Sequence, residues 1–167
     1  PYPRDFRDDL IEAIATLPKV MEQVHLPLQS GDNTILKAMR RLYTVEQFEE
    51  IVHKLRERIP NIAITTDIIV GFPGETDEQF ENTLKVVERI RFDGAFMFAY
   101  SPRPGTPAAA MENQVPRHIK QERLEPCRTA SPARLTPHRS GACSKCWWKV
   151  PARKIPASWQ ASPARTR

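Results

Sequence analysis

The chain has 167 residues, the length of one ordinary domain, and a formal net charge of +5. All 20 acidic residues lie in 1–125, whereas 126–167 holds nine of the 25 Lys and Arg and no acid. The excess positive charge therefore belongs to the last segment alone, which excludes a uniformly basic nucleic-acid-binding domain. That segment also carries all three Cys, all three Trp and six of the 16 Pro. Three cysteines in one segment make no disulfide framework. With no signal-type leader and no apolar run long enough to span a bilayer, the expectation is a cytoplasmic protein without a membrane partner.

Pro1-Tyr2-Pro3 reads as extended. Asp5 or Asp8 then offers a cap for a helix with the apolar stripe Leu10, Ile11, Ile14 and Leu17, ended by Pro18. Val24–Leu28 predicts a short strand, and Gln29-Ser30-Gly31-Asp32 is its carboxyl-end loop, with Ser30 or Asp32 placed to cap a helix over Thr34–Arg40. Thr44 with Gln47 forms a capping box for a helix through Phe48, Ile51, Val52 and Leu55, stopping before Pro60.

Asn61–Val70 is β-branched and apolar on both faces, as a strand of a covered parallel sheet should be. It breaks into the turn Gly71-Phe72-Pro73-Gly74, where ligands bind in such sheets. Thr76 with Gln79 opens a further helix through Phe80, Leu84, Val87 and Ile90, and Gly94–Tyr100 predicts a third strand. After an irregular loop over 101–107, Pro116 opens a last helix towards Leu124. The order α-β-α-α-β-α-β predicts an α/β fold with parallel strands whose three carboxyl-end loops converge on one rim. Three strands do not close a barrel, so the expected object is a partial (β/α) barrel with unpaired strand edges and a half-covered core, prone to poor solubility or to pairing with another chain.

Four stretches in register then resemble one family, the radical-SAM methylthiotransferases, and within it the tRNA-modifying MiaB-like branch. They are His25-Leu26-Pro27-Leu28-Gln29-Ser30-Gly31, Met39 with Arg41-Leu42-Tyr43-Thr44, Thr66–Thr76 and Tyr100–Ala108. The resemblance covers 1–125, with Asp32 standing where Ser is usual and Arg40 where Asn is usual. It implies the carboxyl-terminal part of a radical-SAM barrel, from an enzyme that adds sulfur and a methyl group at an unreactive C–H of an isopentenyl-type adenosine beside the anticodon. The implied cofactors are S-adenosylmethionine and [4Fe–4S] clusters, and the implied partner is tRNA. Clusters need Cys thiolates, and no Cys precedes Cys127. The expectation is that the family's Cys-x-x-x-Cys-x-x-Cys loop lies upstream of Pro1, that this chain holds no metal ligand and that it is inactive alone.

For S-adenosylmethionine, the resemblance assigns Gln29 and Ser30 to the ribose and amino-acid part and Arg41 to a carboxylate. It assigns Asp67, Ile69 and Gly71 to adenine and backbone contacts, and Tyr100 and Ser101 to further adenine contacts. From the residues alone, Ser30 also reads as a helix cap, Arg41 as a solvated charge, Asp67 as a turn residue and Tyr100 as a core aromatic. His25 reads as a hydrogen-bonded structural histidine. Arg103 could touch RNA phosphate, whereas Arg91 reads as solvated.

The resemblance stops at Glu125, where the family continues into an RNA-binding β-barrel. Read from the third base of each codon, Cys146-Trp147-Trp148-Lys149 must encode Leu-Val-Glu followed by Gly or Ser, as that barrel would. The expectation is thus a single-base deletion beside codon 126, leaving 126–167 as a frameshifted, disordered tail rather than a metal or redox motif. The alternative is a non-catalytic remnant or binding module that holds an adenosine-containing ligand and touches RNA through its basic tail.

Overall fold

The computed structural model describes residues 2–130. After a 3-10 turn at Pro3–Asp5 come α1 (Asp8–Thr16), β1 (Gln23–His25), α2 (Asn33–Ala38), α3 (Val45–Arg58), β2 (Ala63–Val70), α4 (Asp77–Ile90) and β3 (Gly94–Ala99). A second 3-10 turn, Pro107–Ala110, leads to α5 (Arg117–Ala130). The expected element order holds throughout. The helix opened by Pro116 continues past position 125, and the remainder of the basic segment, including Cys143 and Cys146, lies outside the described residues.

The three strands form one parallel sheet in the order β1-β2-β3. Thr65 pairs with His25 on one side and Gly94 on the other, and Val70 pairs with Ala99. On the face covered by helices, Ile64, Ile68 and Val70 are fully buried with Phe48, Leu55, Val87 and Phe92. Thr66 shares that apolar layer because its hydroxyl accepts the Leu28 N–H at 2.9 Å, which satisfies a group that would otherwise cost free energy to bury.

The opposite face corrects the expectation of a strand covered on both sides. Burial along β2 alternates strictly, leaving Ala63, Thr65, Asp67 and Ile69 only half-buried. Their register partners Phe96 and Phe98 are 48% and 53% exposed. Among the described residues the helices cover one side of the sheet, as they do outside a barrel, so this half-open face is the one a barrel turns inward.

The capping boxes at Thr44 and Thr76 both form, each with its reciprocal Gln side chain. Of the two candidates for α2, Asp32 is the cap, accepting from Thr34 and Ile35. Thr76→Ala removes one such cap, and the expected result in urea melts is a loss of about 1 kcal/mol of stability. At α1 the expectation fails: Arg7 occupies the cap position without a side-chain bond, Asp5 lies in the preceding 3-10 turn and Asp8 is already helical. Leu17 falls beyond the helix end and is 53% exposed, so the anticipated stripe reduces to a buried Ile11 and a partly buried Ile14.

Candidate functional site

Strands end at β1, β2 and β3 on one rim, and the chain beyond each has a different job. After β1, Gln29 adopts φ +70°, a left-handed conformation unusual for a residue with a side chain. It is held there by β2, donating its N–H to the Asp67 carbonyl at 2.8 Å and accepting from Ile69 N–H at 2.9 Å. Ser30 and Gly31 then turn towards α4. Ser30 is fully buried with its hydroxyl 3.4 Å from that of Thr83, and Gly31 donates its N–H to the same Thr83 hydroxyl at 2.9 Å. A Cβ on Gly31 would stand 2.5 Å from the Thr83 Cα, so this loop is seated directly on α4.

After β2, Gly71 adopts φ +71°. Its N–H donates to the buried Glu75 carboxylate at 2.6 Å, and the Lys120 stem occupies the place where a Cβ would be, 2.4 Å away. Phe72 therefore projects at a fixed angle, with its ring edge-on to Tyr100 at 5.2 Å. Arg123 completes the turn, pairing with Glu75 and Asp77 at 2.7 Å each. Burial pushes the Glu75 carboxyl up from its ordinary value, opposed by the Gly71 N–H and by Arg123.

Between these loops lies an open cleft of about 240 Å³. Arg40, Arg41, Ile69, Phe72, Tyr100 and Thr106 line it. Pockets that bury drug-sized ligands span about 300–1,000 Å³, so this cleft takes part of such a molecule. Two residues that line it each bury a polar atom with no hydrogen-bond partner among the described residues: Arg41 at Nε and Tyr100 at its hydroxyl. An unsatisfied buried donor costs about 1–3 kcal/mol, and a ligand acceptor would relieve it. Arg41 is only half-exposed, which corrects the reading of it as a solvated charge.

The sheet's half-open face carries a second polar group. His25 Nε2 lies 3.2 Å from Asp67 Oδ2, and its Nδ1 lies 3.0 Å from the Thr65 hydroxyl. The histidine is thus hydrogen-bonded on both nitrogens, as expected, and Asp67 is satisfied by a side chain rather than by turn backbone. Phe96 packs edge-on to the imidazole at 6.1 Å.

Of the eight residues assigned from sequence, Arg41, Ile69 and Tyr100 meet in the cleft, whereas Gln29 and Gly71 are not among its lining residues and turn the neighbouring chain with positive φ. Asp67 sits deeper on the open face with His25, Ser30 packs against α4, and Ser101 begins the exposed loop after β3. Sequence reasoning gave no role to Glu75, Thr83, Lys120 or Arg123. Lys120 and Arg123 stand three apart on one helical face, a spacing that puts two cations side by side, but nothing local says what they face. No group of three or more His, Cys, Asp or Glu converges among the described residues. No described helix is long and apolar enough to cross a membrane.

A family model described as the Radical SAM superfamily matches residues 2–87. The tRNA-2-methylthio-N(6)-dimethylallyladenosine synthase of Thermobifida fusca is 62% identical over 125 residues, 75% of this chain and 25% of that protein. Synthases of the same description from Corynebacterium jeikeium and Streptomyces coelicolor are 60% and 61% identical over 125 residues. The chain thus spans about a quarter of the length of these curated relatives. Among solved structures, the Escherichia coli coproporphyrinogen III oxidase, described as a radical SAM enzyme, superposes with a TM-score of 0.64 at 20% identity, over 77% of this chain and 30% of that one. That likeness establishes the fold.

Proposed function

Because the chain belongs to the radical SAM superfamily, we propose that it is the S-adenosylmethionine-cradling portion of a tRNA methylthiotransferase acting on an isopentenyl-type adenosine. The observation that carries this reading is the cleft at the strands' carboxyl ends, lined by Arg41 and Tyr100, whose Nε and hydroxyl are buried without a partner among the described residues. Identity near 60% over 125 residues with synthases named for such a tRNA product supports the substrate class.

In this family the bound S-adenosylmethionine supplies the radical chemistry when reduced by an iron–sulfur cluster. The residues present fit the nucleoside and not the cluster, since no Cys precedes Cys127 and no ligand group converges among the described residues. Arg41 presents a guanidinium to the methionyl carboxylate. Tyr100 offers its hydroxyl to the adenine edge, and Ile69 and Phe72 give the apolar surface on which that ring rests. Gln29, Ser30 and Gly71 fix the two loops, and Asp67 with His25 forms a polar pair on the half-open face of the sheet. Cluster ligands and the RNA-binding surface belong to the remainder of the full-length enzyme, and residues 126–167 stand in place of its RNA-binding domain. The site is cytoplasmic, where tRNA is.

Titration of the 167-residue chain with S-adenosylmethionine tests the reading. Saturable binding is expected, weakened about 10- to 150-fold by Arg41→Met as one charge-assisted hydrogen bond of about 1.5–3 kcal/mol is lost. No heat of binding with the unaltered chain would refute the cradle. Binding of adenosine and of RNA with equal strength, indifferent to Arg41, would instead favour a non-catalytic binding module.

A further inference from the structure

The rim of the sheet holds the cleft, and a dense set of buried polar contacts lies behind it, made by α5. Arg123 is 7% exposed in its side chain and Glu75 is 1% exposed. Arg123 Nη1 donates to the Glu75 carboxylate at 2.7 Å and to the Glu75 carbonyl at 3.2 Å, and Nη2 donates to Asp77 at 2.7 Å. The guanidinium also stacks over the Phe80 ring, 5.5 Å from its centre. One turn earlier, Lys120 Nζ donates to the Tyr100 carbonyl at 3.0 Å and stands 5.1 Å from the Tyr100 ring centre. Its stem fills the space left by the missing Gly71 Cβ.

A buried ion pair is poor value as plain stabilisation, because apolar residues of the same volume often do as well. What it supplies is direction. The carboxylate oxygen that receives Arg123 is the same one that receives the Gly71 N–H, so the guanidinium aims Glu75 and Glu75 holds Gly71 at its left-handed φ. Lys120 meanwhile ties the end of β3 to the same helix. Two separate loops of the cleft are thus indexed to one rigid element, and Phe72 and Tyr100 are set edge-on by it.

We infer that Lys120 and Arg123 are positioning residues: α5 clamps the turn after β2, through Glu75, and the end of β3, through the Tyr100 carbonyl, so that the nucleoside-binding cleft is preformed before ligand arrives. This rests on the cradle reading above. Neither residue touches the ligand; both act through Gly71 and Tyr100. The affinity contributed is that of pre-organisation, since a loop already ordered loses less conformational entropy on binding.

The test uses the full 167-residue chain, with S-adenosylmethionine as the probe for affinity and amide hydrogen exchange as a readout that needs no ligand. Arg123→Met is expected to speed exchange at the Gly71 amide at least tenfold, leave the core amide of Ile68 within twofold and weaken S-adenosylmethionine binding at least tenfold. Arg123→Lys restores part of both. Lys120→Met keeps the stem beneath Gly71 and removes the ammonium; it is expected to weaken binding about fivefold with an unchanged melting temperature, and it serves where Arg123→Met does not fold. Unchanged Gly71 exchange in Arg123→Met, or equal acceleration at Gly71 and Ile68, overturns the clamp. Faster Gly71 exchange with unaltered affinity in both variants overturns its role in the cleft. Should the unaltered chain not bind the probe, the cradle reading fails, and the exchange arm still decides the clamp.

Discussion

Replacing Glu75 with alanine is expected to lower the unfolding free energy by about 3–5 kcal/mol, the usual loss when one partner of a buried ion pair is removed. Two donors lose the carboxylate at once, Arg123 Nη1, which keeps only the Glu75 carbonyl at 3.2 Å, and the Gly71 N–H, and the turn at Gly71-Phe72-Pro73-Gly74 loses its anchor with them. Asp77 cannot take over, because its side chain is 94% exposed and holds only the other guanidinium nitrogen. Urea unfolding measures the loss, and a change under 1 kcal/mol would mean that water reaches Arg123 in the folded chain. The pH dependence adds a sign. Burial raises the Glu75 carboxyl above its ordinary 4.5 in the folded state. The folded chain therefore binds this proton more readily than the unfolded one, so the group's contribution is most favourable below pH 4.5 and declines as pH rises through the raised value. Glu75→Gln, which keeps an acceptor for Gly71, is expected to flatten that decline, as read from melts between pH 4 and about pH 7.

Phe48→Ala is expected to be as severe, at about 3–5 kcal/mol, for an unrelated reason. The ring is fully buried, edge-on to Phe92 at 6.1 Å and tilted against Tyr43 at 6.3 Å. Removing it opens a void at the junction of α3, the chain before β3 and the loop after α2, and the neighbours cannot close it without moving strands. Tyr43 transmits the damage towards the rim. Its hydroxyl donates to the Pro27 and Leu28 carbonyls at 3.1 and 2.9 Å, and burial pushes its pKa up to about 12. Denaturant melts of Phe48→Ala and Phe48→Leu separate the void from the loss of aromatic contact, with the leucine variant expected to recover at least half of the lost stability. Equal losses would place the effect in ring packing alone.

Much of the fold was legible because its signals are local. A threonine with glutamine three residues on satisfies two helix-start N–H groups wherever it occurs, and both boxes formed. Period-3.6 apolar spacing and β-branched runs gave the order of helices and strands for the same reason. The first helix was misread because capping competes with what precedes it, and Pro3–Asp5 forms a 3-10 turn that takes Asp5 out of position. The face of β2 was misread because an apolar side chain such as Ile69 does not announce whether helix or open cleft lies opposite.

By itself, then, the sequence determined the family, the parallel order of elements and the three rim loops, since these rest on residue identities in register and on hydrogen bonds closed within a few residues. The tertiary structure alone decided which of the rim residues share the cleft. Ser30 faces Thr83, 53 positions away, whereas Arg41 and Tyr100 come together in the cleft, each with a buried atom that has no partner among the described residues. It alone also joined Arg123 to Glu75 across 48 positions. Such contacts depend on how α4 and α5 pack on the sheet, and packing is set by the summed burial of many side chains, which no short stretch of sequence encodes.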